Sequence, residues 1–209
     1  MRFSQVFKQF LQLKDAENVL AVESLVSSIE VEAATLKASE LSQRINEQID
    51  ETQRRYGKSA KLLGPLGYFC PFIYEKAYAN VTRGKITKKA TEATFIYDFN
   101  CEKKPIRIIN NDLNTISYCD WAKDLAIYIT FNKRDLSVPK AITLAILDDC
   151  GIPIKEIYIQ WIVFPQIRGC IRIGFLENTK KQKTFIIYEA VIDDKEQILA
   201  IASKTYDVD

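Results

Sequence analysis

The stretch LAIYITFNKRDLSVPKAITLAILDDCG, residues 125–151, decides the fold class. Leu125–Phe131 and Ala141–Leu147 are runs of Ile, Leu, Tyr, Thr, Phe and Ala, the mixture that fits a pleated surface buried on at least one side. Between and after them stand turn formers, Asn132-Lys133-Arg134-Asp135 and Asp148-Asp149-Cys150-Gly151. The interval between the two runs is too short for a crossover helix, so they read as neighbouring antiparallel strands.

The same grammar extends in both directions. Tyr68–Tyr74, Ala93–Phe99, Ile106–Ile109, Ile154–Phe164, Ile171–Phe175 and Thr184–Ile192 are further strand-like runs, with Asn110-Asn111-Asp112 and Glu177-Asn178-Thr179-Lys180 as punctuation. No crossover helices separate them, which argues against a doubly wound parallel sheet. Lys195–Lys204 reads as a short closing helix with Ile198, Leu199 and Ile201 inward.

Upstream the period changes. Residues 1–56 contain neither Gly nor Pro, and then Gly57, Gly64, Pro65, Gly67 and Pro71 arrive together. Phe3, Val6, Phe7, Phe10 and Leu13 share one helical face, and Val22, Leu25, Val26 and Ile29 repeat that spacing. Leu36, Leu41, Ile45, Ile49 and Tyr56 continue the stripe. Asp15 and the capping-box spacing Ser27-Ser28-Ile29-Glu30 suggest breaks near residues 15 and 27. The expected class is α+β. An N-terminal helical segment, 1–56, precedes a mainly antiparallel β-sheet or sandwich domain, 57–209, with a short C-terminal helix.

The chain has 209 residues, and no histidine is among them. Ser-His-Asp and Cys-His nucleophile systems, imidazole acid–base chemistry and His-containing zinc or iron sites are therefore excluded. Cys70, Cys101, Cys119, Cys150 and Cys170 form no CxxC pair and read as small buried hydrophobes of a reducing compartment. No stretch approaches the ~18 apolar residues of a membrane-spanning helix. Polar residues interrupt the apolar N-terminus, so no signal peptide is expected. The expected location is cytoplasmic, or host cytoplasmic for a viral protein.

Motifs for chemistry fail one by one. Tyr56-Gly57-Lys58-Ser59 looks like the tail of a phosphate-binding loop, but Thr52 stands where its first glycine belongs, and a helix C-cap is the better reading of Gly57. Asp148-Asp149 and Asp193-Asp194 are placed where turns are needed, and Asp suits turns. Trp121 and Trp161 read as core or interface aromatics. No cofactor, metal or catalytic residue is expected, and the chain is not read as an enzyme.

Charge distribution is the informative signal. The net charge is only +2, but residues 1–53 carry −4, residues 54–107 carry +8 and residues 108–209 carry −2. The candidate binding cations are Arg54, Arg55, Lys58, Lys61, Arg83, Lys85, Lys88, Lys89, Lys103 and Lys104, interleaved with Tyr56, Tyr68, Phe69, Phe72, Tyr74 and Tyr78. Cations at this density can neutralise phosphates of RNA or DNA, or the headgroups of an anionic membrane. The apolar stripe of Phe3, Val6, Phe7, Phe10, Leu13, Val22, Leu25 and Ile29 is the candidate surface for a homo-oligomer.

An acidic helical segment followed by a histidine-free antiparallel β domain resembles small viral assembly and transport proteins, namely matrix, coat and cell-to-cell movement proteins. Ala126–Asp149 is similar to plant-virus movement proteins in having a strand, a loop ending Val138-Pro139, and a strand closing on Leu147-x-Asp149. Those proteins carry a distant downstream glycine, whereas the last glycines here are Gly169 and Gly174, so no residue role transfers. The resemblance implies assembly or binding. The sequence thus points to a non-enzymatic assembly and binding protein, or alternatively to a protein-interaction adaptor without nucleic-acid binding.

Overall fold

A computed structural model describes residues 4–13, 19–58, 66–69, 85–90, 93–122, 125–148, 153–164, 167–178, 183–192 and 198–208, with side chains as far as Trp161. Three helices come first: α1 (Ser4–Gln12), α2 (Val19–Ala34) and α3 (Ala38–Asn46). The strands are β1 (Asp50–Lys58), β2 (Lys85–Thr87), β3 (Phe95–Phe99), β4 (Pro105–Asn110), β5 (Thr115–Ala122), β6 (Leu125–Asn132), β7 (Ala141–Leu147), β8 (Pro153–Phe164), β9 (Ile167–Asn178), β10 (Lys183–Ile192) and β11 (Ile198–Val208). They form one antiparallel sheet in the order β11-β10-β9-β8-β7-β6-β5-β4-β3-β1-β2. The α+β class with leading helices and an antiparallel sheet is what the sequence predicts.

Five local expectations are corrected. The strand expected over Tyr68–Tyr74 opens instead in a 3₁₀ turn, Gly67–Phe69, where Tyr68 N donates to the Tyr97 hydroxyl at 2.8 Å, and residues 70–74 lie outside the described residues. The chain closes on strand β11, and the short C-terminal helix expected over Lys195–Lys204 is absent from its described part, 198–204. β10 offers β11 ten register positions, from Lys183↔Val208 to Ile192↔Ile198, and that ladder outweighs a helical spacing of three apolar residues. β1 begins at Asp50, inside the segment read as helical, where the Asp50 carboxylate accepts the Thr52 N–H at 3.0 Å and turns the chain. Gly57 is therefore a strand residue and not a helix C-cap. A Cβ there would stand 2.7 Å from the Tyr97 ring, so only glycine lets β1 lie against β3. Finally, α2 runs unbroken through Ser27-Ser28. The break comes instead at Thr35–Lys37, where Lys37 is extended (φ −113°) and serves as the N-cap of α3.

The sheet has an apolar layer on each face. On one side Val6, Phe10, Leu25, Ile29, Leu41 and Ile45 of the helices pack on Ile127, Ile129, Ile142, Leu144, Ile157 and Ile159. On the other side Phe95, Tyr97, Phe99, Ile108 and Tyr128 pack with Leu66 and with half-buried Tyr68 and Phe69. One extra residue in β4 shapes this division. Asp98 pairs with Arg107 but Phe99 pairs with Pro105, so Ile106 is bulged out of the ladder. Ile106 consequently joins the helix-side core although Ile108, two residues on, faces the other way.

The Asp98 carboxylate is fully buried beside this bulge. It accepts Arg54 Nε at 2.6 Å and Arg107 Nε at 2.7 Å, and Arg107 Nη1 continues to Asn46 Oδ1 at 2.7 Å. One buried charge thus ties β1, β3, β4 and the end of α3 together.

Candidate anionic-surface interface

Register lines up one end of the sheet. Gly57 pairs with Phe95, Phe95 with Asn110, Asn110 with Thr115 and Thr115 with Asn132, a row across five strands. Just beyond the row lie the end of β1, the β4–β5 turn (111–114) and the β6–β7 loop (133–140). Lys58 pairs with Lys85 at the same end, whereas β2 runs back from it, so exposed Lys88 and Lys89, which follow Thr87 past Tyr56, lie away from the row. Lys133, Arg134 and Lys140 stand on the loop. Over β1–β7, the described residues at this end include five cations against the carboxylates of Asp112 and Asp135.

The two loops are braced against each other. Lys133 N donates to Asn114 O at 2.9 Å and Lys133 Nζ to Asn111 Oδ1 at 3.0 Å. Arg134 N donates to Asn132 Oδ1 at 2.8 Å, and Asp135 accepts both the Ser137 N–H and its hydroxyl. The Ser137 hydroxyl, then its N–H, hold the Asp135 carboxyl below the usual carboxylate range. Apolar side chains stand out from this platform: Leu113, Leu136 and Val138 are 36%, 44% and 49% exposed.

The cations singled out in the sequence do not form one patch. Lys58 and Lys85 stand at the end just described, whereas Lys88 and Lys89 follow the opposite end of β2. Arg54 is engaged with Asp98, and Arg55 donates to the carbonyls of Thr52 and Arg54. Exposed Lys103 and half-buried Lys104 sit on the β3–β4 turn, at the other end of β1, where Asp50 pairs with Phe99. The two ends of β1 are level with Phe95 and Phe99, and four strand residues at ~3.3 Å each put roughly 13 Å between them. Lys104 pairs with Glu102 at 3.1 Å and lies 5.9 Å from the Trp121 ring centroid. Lys61 and Arg83 lie outside the described residues. Sequence reading missed Lys133, Arg134 and Lys140, because they lie in the part 108–209, which carries −2 as a whole, and only the sheet order brings them beside Lys58.

The interleaved aromatics turn inward. Tyr68 and Phe69 pack on the second core, with Phe69 edge-on to Tyr97 and Phe99. Tyr56 is half-buried, and Phe72, Tyr74 and Tyr78 lie outside the described residues. Trp121 Nε1 donates to Pro105 O and Trp161 Nε1 to Glu30 Oε1, consistent with core and interface roles.

Of the stripe assigned to self-association, Val6, Phe10, Leu13, Val22, Leu25 and Ile29 are buried within one chain; Phe7 lies in α1 and Phe3 outside the described residues. Cys119 is buried, and desolvation pushes its thiol well up, whereas Cys101 is exposed. Asp148 follows β7; Asp149, Asp193 and Asp194 are outside the described residues. Among the described residues no group of three Cys, Asp or Glu could hold a metal ion, and no helix is long and apolar enough to cross a membrane.

Besides Cys119, one described group has a marked shift. Lys155 of β8 reaches the carbonyls of Phe10 and Leu13 at the end of α1, and burial lowers its pKa to about 8. The folded chain then binds fewer protons than the unfolded chain between about pH 8 and the ordinary lysine value. Stability is expected to rise with pH across that window, and the cost of keeping the ammonium charged is fully present below it. Comparing urea midpoints of the parent and Lys155→Met from pH 7 to 10 isolates this contribution. A parallel pH dependence in both chains would contradict it.

Compared with known protein families, with curated proteins and with solved structures, the chain finds no match.

Proposed function

We propose that this chain is a non-enzymatic binding protein that docks on an anionic membrane surface through the β1–β7 end of its sheet. The observation that carries this reading is the exposure of Leu113, Leu136 and Val138 on braced loops at the end that holds Lys58, Lys85, Lys133, Arg134 and Lys140. Apolar tips enter the headgroup region while neighbouring cations meet anionic lipids at its surface. The charge alone also suits RNA or DNA. Single-stranded binding draws on aromatic faces stacked against bases, however, and the described aromatics of the basic segment pack inward.

Each surface cation contributes about 1 kcal/mol of attraction, so Lys85→Glu with Arg134→Glu is expected to weaken binding at least about tenfold. Flotation with vesicles of pure phosphatidylcholine, or with a third phosphatidylserine, at low and high salt, measures this. Binding is expected only to the anionic vesicles, falling as salt rises. Leu136→Ser with Val138→Ser is expected to reduce it at unchanged charge. A gel shift with single-stranded RNA runs beside it. RNA binding that ignores the Leu136 and Val138 changes, without vesicle binding, would replace this reading with a nucleic-acid one.

A further inference from the structure

The two edges of the sheet are unlike. At one side β2 is three residues long, carries Lys85, and is followed by Lys88 and Lys89. Shortness and lysines are the devices by which a sheet edge avoids pairing with another chain. At the other side β11 runs for eleven residues, ILAIASKTYDV, without Pro or Gly and with a single Lys. Its inner edge is taken by β10 along the whole length. Among the described residues no strand pairs with its outer edge. In an antiparallel ladder alternate residues turn both backbone groups the same way, so about five residues of β11 direct an N–H and a C=O outward.

We infer that β11 pairs antiparallel with β11 of a second copy of this chain, making a two-fold dimer with one continuous sheet. Identity of the two strands restricts the register. The extra residue Leu199 shifts the register at the start of β11, so regular outward pairing runs over Ala200–Val208. There outward-facing residues share one parity, and hydrogen-bonded partners must both face outward, so the numbers of paired residues add to an even total. Centring the pair on Ser203 satisfies this over Ala200–Tyr206. Ala200 then stands opposite Tyr206, Ile201 opposite Thr205, and Ser203 opposite its own copy. Centring on Lys204 instead would set two like charges directly opposite, which is unfavourable.

A second copy fits this edge better than an unrelated strand because the contact is isologous and closes on itself. The lysine-guarded β2 edges are left outermost, so assembly stops at two and no filament grows. The axis stands normal to the sheet, so the helix-covered faces of both copies lie on one side. This interface uses none of the cations of the proposed membrane-docking end, and it can stand or fall separately.

The test is the mass of the full chain in solution at tens of micromolar. Sedimentation equilibrium is expected to give about 48 kDa, twice the 24.0 kDa chain. Ser203→Lys places two ammonium groups opposite each other across the axis, and is expected to give 24 kDa with an unchanged circular dichroism spectrum. Ser203→Cys brings two Cβ atoms within ~5.5 Å, and is expected to yield a disulfide-linked dimer under mild oxidation. Thr205→Cys, opposite Ile201, is expected to give no more cross-linking than the parent chain with its own five cysteines. A monomeric parent would overturn the inference. So would a dimer that survives Ser203→Lys and does not cross-link through Ser203→Cys.

Discussion

Asp98→Ala is expected to lower the unfolding free energy by about 3–5 kcal/mol, the range for removing one partner of a buried ion pair. Asp98 is fully buried, and each of its oxygens accepts one guanidinium Nε, from Arg54 at 2.6 Å and Arg107 at 2.7 Å. The hydrogen bond that Arg54 donates to Asp98, and the carboxylate's charge, push the Arg54 guanidinium above its already high value, so the arginine cannot escape by losing a proton. Without the carboxylate, two cations with side chains 32% and 17% exposed are left facing one site. Asp98→Asn retains the shape and one acceptor, and its loss is expected to lie between parent and Asp98→Ala. Urea midpoints with unchanged transition slopes measure both. A loss below about 1 kcal/mol for Asp98→Ala would mean that water substitutes for the carboxylate, contrary to a buried-pair account.

Phe10→Ala is expected to cost a similar amount, about 3–5 kcal/mol, by the loss of apolar contact and the cavity left behind. Phe10 is completely buried between α1 and the sheet, and the Lys155 ammonium lies 4.9 Å from its ring centroid. The ring shields the stem of that half-buried lysine as well as filling space. The same substitution separates two uses of the helical stripe. If Phe10 serves the intrachain core alone, solution mass stays that of the parent while the urea midpoint falls. A fall in mass with unchanged chain stability would instead assign the stripe to contact between copies.

The strands β3, β4, β6, β7, β8, β9 and β10 were legible because their β-branched and aromatic runs are bounded by turn residues. β1 was not, since Asp50-Glu51-Thr52-Gln53-Arg54-Arg55 has no apolar alternation. Its place is fixed from outside, by the ion pair of Arg54 with Asp98 and the close approach at Gly57. β5 was missed because both of its faces are covered and Ile116, Tyr118 and Cys119 blur the two-residue period. At β11 the positions of Ile198, Leu199 and Ile201 suit either period, and only the partner strand decides. The candidate interface was half legible for a related reason. A count along the chain adds Arg54 and Arg107, which neutralise Asp98 internally, and Lys103, which stands at the far end of β1. It cannot see that Lys133, Arg134 and Lys140 share an end with Lys58, because that depends on the order of strands.

The bond from Lys155 to the carbonyl of Phe10 spans 145 positions of chain. At a synthesis rate of about 5–20 residues per second, α1 leaves the ribosome roughly 7–30 s before the strand that covers it exists. Until β6 and β7 follow, the side chains of Val6, Phe10, Leu25 and Ile29 lack the strands they rest on, and the layer is complete only with β8. The nascent helices are therefore a natural client for chaperones that hold apolar segments until the sheet arrives.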